Sequence, residues 1–123
     1  MFAVEIDKSK RLLVISVAGH VTKDEVRQAA AQVREIVAEV APGFRLLTDF
    51  RWLGSMDASA ALHVAEIMDA VAAGQVSAIV RVIPDPHKDI GLNILSKFHY
   101  SPDIHVLTFE TLADALQSLT LSS

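Results

Sequence analysis

The chain has 123 residues, a formal net charge of −4 and no cysteine. That length suits a single domain spanning residues 1–123 with a real core, and the lack of cysteine excludes disulfides, thiolate chemistry and Cys-based zinc or iron–sulfur centres. The eleven Lys and Arg are scattered and form no basic stripe interleaved with aromatics, which argues against nucleic-acid binding.

Phe2 to Asp7 alternates apolar and polar residues, the period of a half-buried strand. Its acids also rule out a secretory or transit peptide, and no apolar run reaches the ~18–20 residues of a membrane span, so a cytoplasmic location is expected. Asp7-Lys8-Ser9-Lys10 is a polar turn. Arg11 to Ala18 (RLLVISVA) is a second, β-branched strand that Gly19 should stop, making an antiparallel hairpin.

Thr22-Lys23-Asp24-Glu25 has the form of a capping box. The apolar stripe Val26, Ala29, Ala30, Val33, Ile36, Val37 and Val40 then predicts a helix ended by Pro42-Gly43. Phe44 to Thr48 (FRLLT) reads as a short buried strand, followed by a loop, DFRWLGSMDASA, from Asp49 to Ala60. A second helix is expected from Ala58 to about Ala73, with Asp57 as its cap and Gly74 closing it.

Ser77 to Ile83 (SAIVRVI) predicts a central strand buried on both faces. After Pro84-Asp85-Pro86, a third helix should run from about His87 or Lys88 to Phe98, with Ile90, Ile94, Leu95 and Phe98 inward. Ile104 to Phe109 is the last strand. Thr111 caps a final helix carrying Leu112, Ala115, Leu116 and Leu119. The order is β-β-α-β-α-β-α-β-α, an α/β fold with a mixed, mostly parallel five-stranded sheet and helices packed against it.

This order, with an aspartate ending the third strand at Asp49 and Met56, Asp57 and Ser59 leading into a helix, resembles the STAS family. The family includes the anti-sigma-factor antagonists, and within it the chain looks more similar to the broader SpoIIAA-like and STAS/SEC14-like branch. The resemblance implies a regulatory, non-catalytic domain that docks a protein partner, a kinase or an anti-sigma-like protein. It also implies that Ser59 occupies the position of the phosphorylated serine. Ala58 and Ala60 replace the serine and glycine that flank it in the family's motif. The SEC14-like branch implies the alternative, a carrier of small apolar ligands or lipids.

The residues themselves allow the same readings. A phosphate on Ser59 would add about −1.5 to −2 charges beside Asp57 at a helix start. Trp52 is either an exposed recognition anchor or a lid over the sheet's carboxyl edge, where open α/β sheets bind ligands. Arg81 interrupts an apolar strand and needs a partner, with Asp49 one candidate, or else it binds an anion. The candidate surface therefore comprises Asp49, Arg51, Trp52, Met56, Asp57, Ser59, Arg81 and Asp85.

Asp85, His87 and Asp89 lack any metal-site spacing, so no metal or other cofactor is expected. No Ser-His-Asp set, P-loop or paired-carboxylate motif can be assembled from the linear order, so no catalytic residue is named. A homodimer is natural if an apolar helix face is left exposed.

Overall fold

The computed structural model describes residues 1–85 and 90–121. Its elements are β1 (Phe2–Asp7), β2 (Leu12–Val21), α1 (Lys23–Glu39), β3 (Arg45–Met56), α2 (Ala61–Ala73), β4 (Ala78–Val82), α3 (Ile90–His99), β5 (His105–Phe109) and α4 (Leu112–Leu121), with a single 3-10 turn at Ala58–Ala60 before α2. The five strands form one sheet in the order β1-β2-β3-β4-β5. Only the β1–β2 hairpin is antiparallel; the other three pairings are parallel. This is the mixed α/β architecture expected from the sequence. His87, Lys88 and Asp89 lie outside the described residues, as does the expected start of the third helix.

Strand alternation divides the core in two. Leu13, Ile15, Val17, Leu46 and Ile79 point to one face, where Val26, Ala30 and Val33 of α1 and Ile67, Met68 and Val71 of α2 cover them. Leu47, Val80 and Val82 point to the other and meet Ala115 and Leu119 of α4. Helices α1 and α2 approach closely at Gly74, where a Cβ would lie 2.2 Å from Val37 Cγ1, so only glycine fits there. Thr22 caps α1 by accepting the Glu25 N–H at 3.2 Å, and the Glu25 carboxylate takes the Thr22 hydroxyl and the chain's terminal amine. Thr111 caps α4 in the same manner, accepting the Asp114 N–H.

Three expectations need correction. First, β2 does not stop at Gly19 but runs to Val21, and β3 does not stop at Thr48 but runs to Met56. The expected loop is for the most part strand. Two irregularities make this possible: Phe50 and Arg51 together face Val17, and Gly54 is an extra residue between the pairs Gly19↔Leu53 and His20↔Ser55. Gly19 adopts φ 66°, the left-handed conformation that glycine tolerates, so it bends the strand without ending it.

Second, α3 buries a face rotated from the expected one. Leu95 turns inward as expected, but Phe98 is 82% exposed and Ile94 53%, and Leu92 and Ser96, with Tyr100 just past the helix, turn inward in their place. The polar Ser96 is drawn in because it hydrogen-bonds buried Arg81. Third, Leu116 on α4 is 44% exposed and lies outside the buried face of that helix.

Candidate functional site

The first half of β3 is paired with β2 on one side and β4 on the other, whereas the second half, from Phe50 onward, is paired with β2 alone. Side chains on this overhang therefore stand at the carboxyl edge of the parallel strands. At the bulge the Asp49 carboxylate accepts the Arg51 N–H at 3.0 Å. The same carboxylate accepts the Arg51 guanidinium in a forked pair, at 3.0 and 2.9 Å. Burial alone would raise the Asp49 pKa, but the hydrogen bonds and charge of Arg51 outweigh it and hold the carboxyl below its ordinary value. Arg51 is held correspondingly above its own, first by the hydrogen bond to Asp49.

Asp49 is thus committed to Arg51 and is not the partner of Arg81, correcting the pairing anticipated from the sequence. The register explains why: Arg81 lies opposite Thr48, and Asp49 opposite Val82, so Asp49 and Arg81 project to opposite faces. Arg81 is 2% exposed, and its guanidinium donates to Ser96 and Asn93 of α3.

Beyond Arg51, the indole of Trp52 is 66% exposed, with the Arg51 guanidinium carbon 5.5 Å from its centroid. It is a projecting ring and not a lid. Ser59, on the 3-10 turn, is also exposed, and its side chain makes no hydrogen bond among the described residues. Met56 is half-buried against the core. Asp85 is exposed in the turn after β4.

Asp57 does not cap the helix that follows it. Its carboxylate reaches across to the preceding helix, where Oδ2 accepts the Lys23 N–H at 3.0 Å, and its own N–H donates to the Val21 carbonyl. The other oxygen, Oδ1, lies 3.0 Å from His20 Nε2, and His20 Nδ1 lies 2.7 Å from the Ser55 hydroxyl. A Ser55–His20–Asp57 relay is therefore present, one that the linear order of the sequence does not reveal. The sequence does not show it, because Gly19 reads as the end of the second strand and leaves His20 outside it. Extending β2 to Val21 in parallel with β3 is what brings position 20 beside position 55.

Behind this edge lies a small apolar cavity of about 50 Å³ between the sheet and helices α2 and α3, with Thr48, Arg81 and Tyr100 among its lining. Burial pushes the Tyr100 hydroxyl up to about 12. The cavity has room for a water molecule or two, whereas pockets for drug-sized ligands run to ~300–1,000 Å³. His99 leaves it alone and pairs with Asp69 at 2.7 Å. Among the described residues no group of three His, Asp or Glu could hold a metal ion, and no helix is long and apolar enough to cross a membrane.

No protein-family model and no curated protein matches this chain. Solved structures do. An uncharacterized protein from Shewanella loihica with a SpoIIAA-like fold is 18% identical over 96% of this chain and 93% of that one, with a TM-score of 0.74. The unphosphorylated form of the anti-sigma factor antagonist SpoIIAA is also 18% identical, over 98% of both chains, with a TM-score of 0.68. An anti-sigma factor antagonist from Mycobacterium paratuberculosis is 20% identical over 98% of this chain and 93% of that one, with a TM-score of 0.60. With five strands in matching architecture over nearly the whole length, this chain has the SpoIIAA-like fold.

Proposed function

We propose that this protein is a non-catalytic regulatory module of STAS type that docks a protein partner through the Asp49–Ser59 segment and the first turn of α2. The observation that carries this reading is Trp52. A lone tryptophan, 66% exposed on a strand overhang and steadied by an arginine that is itself tied to a carboxylate, is an expensive feature to leave in water. Such a ring supplies a large, rigid contact area at low entropic cost, the profile of a binding hot spot. Leu62, at the start of α2, is a second exposed apolar residue, 64% exposed. The reading draws further support from the fold, which this chain shares with anti-sigma factor antagonists.

Ser59 gives the surface a means of control. It is exposed at the entrance to α2, and a phosphate there would place negative charge next to Asp57 and to the docking surface. The protein partner would then be a kinase or an anti-sigma-like protein in the cytoplasm.

A photo-crosslinking amino acid placed at position 52 tests the docking surface. It should capture one defined protein that the same probe at Glu39, on the far end of α1, does not. Equal capture from both positions would remove the case for this surface. The switch is tested separately with the captured partner: Ser59→Asp should weaken binding relative to Ser59→Ala, and equal affinities would sink it.

A further inference from the structure

The Ser55–His20–Asp57 relay takes Ser55 and Asp57 from the proposed docking segment and has a chemistry of its own. A carboxylate only accepts hydrogen bonds, so in the neutral imidazole the proton sits on Nε2, facing Asp57 Oδ1 at 3.0 Å. Nδ1 is then the bare nitrogen, and the Ser55 hydroxyl 2.7 Å away donates to it. That is the arrangement of a hydroxyl beside a positioned general base, with a carboxylate fixing the base's tautomer. The carboxylate is itself held by the backbone N–H of Lys23 and by the Asp57 N–H bond to Val21, so the relay is anchored to β2, β3 and α1 together. His20 and Ser55 are both exposed, open to a reagent from solvent.

We propose that Ser55 is a self-modifying site that accepts an acyl group from an activated ester or thioester. As Oγ bonds to the acyl carbon, its proton passes to His20 Nδ1. The bond from that carbon to the leaving oxygen or sulfur then breaks, and the leaving group takes the proton from Nδ1. Ser55 ends as an ester and the donor as a free alcohol or thiol; nothing is oxidised or reduced. An acyl group is favoured over a phosphoryl group because it is neutral, whereas a phosphate of about −1.5 to −2 charges would sit two positions from Asp57 on the same strand end. The oxyanion of the tetrahedral intermediate is solvated by water, so the gain over an ordinary serine is the general-base share, about 10²–10⁴-fold. The modified residue lies three positions from Trp52 on the same overhang, and the site stands independently of whether that surface docks a partner.

The test uses p-nitrophenyl acetate on the whole protein, with intact mass and peptide mapping as readouts. One acetyl group should appear on Ser55, Ser55→Ala should not gain it, and a Ser101→Ala control should behave as wild type. His20→Ala should slow acetylation of Ser55 by at least about a hundredfold, and added imidazole should restore part of the rate, which a folding defect would not allow. Asp57 acts as a positioning residue. Asp57→Ala should lower the limiting acetylation rate while leaving the half-saturating donor concentration unchanged. Acetylation confined to lysines or the terminal amine, or a Ser55 rate unaltered by His20→Ala, would overturn the assignment.

Discussion

The two halves of β3 are one strand with two occupations. From Arg45 to Asp49 it is paired on both sides, and Leu46, Leu47 and Thr48 are buried among neighbours from both layers of helices. From Phe50 to Met56 it keeps only β2 as a partner, is bulged twice, and presents Trp52, Gly54 and Ser55 to solvent. A regular ladder aligns every side chain with the core or its reverse. A bulged, one-sided ladder frees side chains for other purposes while the backbone remains anchored. The first half should therefore respond to mutation in stability, and the second in chemistry or binding.

The hardest blow to the first half is Leu46→Ala. Leu46 is 2% exposed, and truncating such a side chain costs about 2–5 kcal/mol through lost transfer energy and the cavity left behind. Urea denaturation should show the loss at unchanged m-value. Next comes Arg81→Leu, on the strand that flanks this half. It removes the donors that reach Ser96 and Asn93, and about 1–3 kcal/mol should be lost. A stabilised Arg81→Leu protein would mean that the buried arginine is kept for function and not for packing.

These two residues also show what was legible beforehand. Leu46 lies in an apolar run after a Pro-Gly breaker, and hydrophobic periodicity places it, as it places the order of the strands and helices. Arg81 reads in the sequence as a buried charge in need of partners, but the sequence does not name Ser96 and Asn93, because they depend on which face of α3 turns inward. That helix is apolar on two sides, Ile94 and Phe98 against Leu92 and Leu95, and the buried guanidinium selects the side that carries Ser96. The second half of β3 escaped for a different reason. Two bulges break the period-2 alternation from which strands are read, and Gly19 looks like a terminator unless its partner strand is known. With the overhang hidden, the meeting of His20 with Ser55 was hidden too.

Asp57 joins the two domains of behaviour, since it sits at the end of β3 and holds the first N–H of α1. Asp57→Ala should cost about 0.5–2 kcal/mol, the usual range for losing a helix-capping acceptor. Thermal melts should show that loss even if His20 and Ser55 prove chemically inert, which separates its two roles.

Asp49 marks the boundary between the halves, and pH resolves its contribution. Its folded-state pKa lies below its ordinary value of 3.8, so the carboxylate adds stability that is fully present above that value and is lost as the pH falls through the lower, folded one. Asp49→Asn should be less stable than wild type at neutral pH, and the difference should close as the pH is taken well below 3.8. A gap that stayed constant across this range would show that the Arg51 pair does not depend on the Asp49 charge.

The smallest effect on stability belongs to Trp52→Ala, and it divides the two halves most sharply. The ring is mostly in water, and its one resolved ring interaction is with Arg51 at 5.5 Å, a contact worth about 0.5–1 kcal/mol at an exposed site. Truncating it also removes exposed apolar surface, which costs the folded state nothing. The expected change in unfolding free energy is therefore below about 1 kcal/mol, several-fold less than for Leu46→Ala six positions earlier on the same strand. Binding should move the other way: a central tryptophan anchor typically carries 2 kcal/mol or more of complex stability, a loss of roughly thirtyfold in affinity. A Trp52→Ala protein that unfolds as readily as Leu46→Ala would place the ring within the fold's own support and erase the division between the halves. One that melts like wild type and no longer holds its partner would confirm that β3 folds with one half and works with the other.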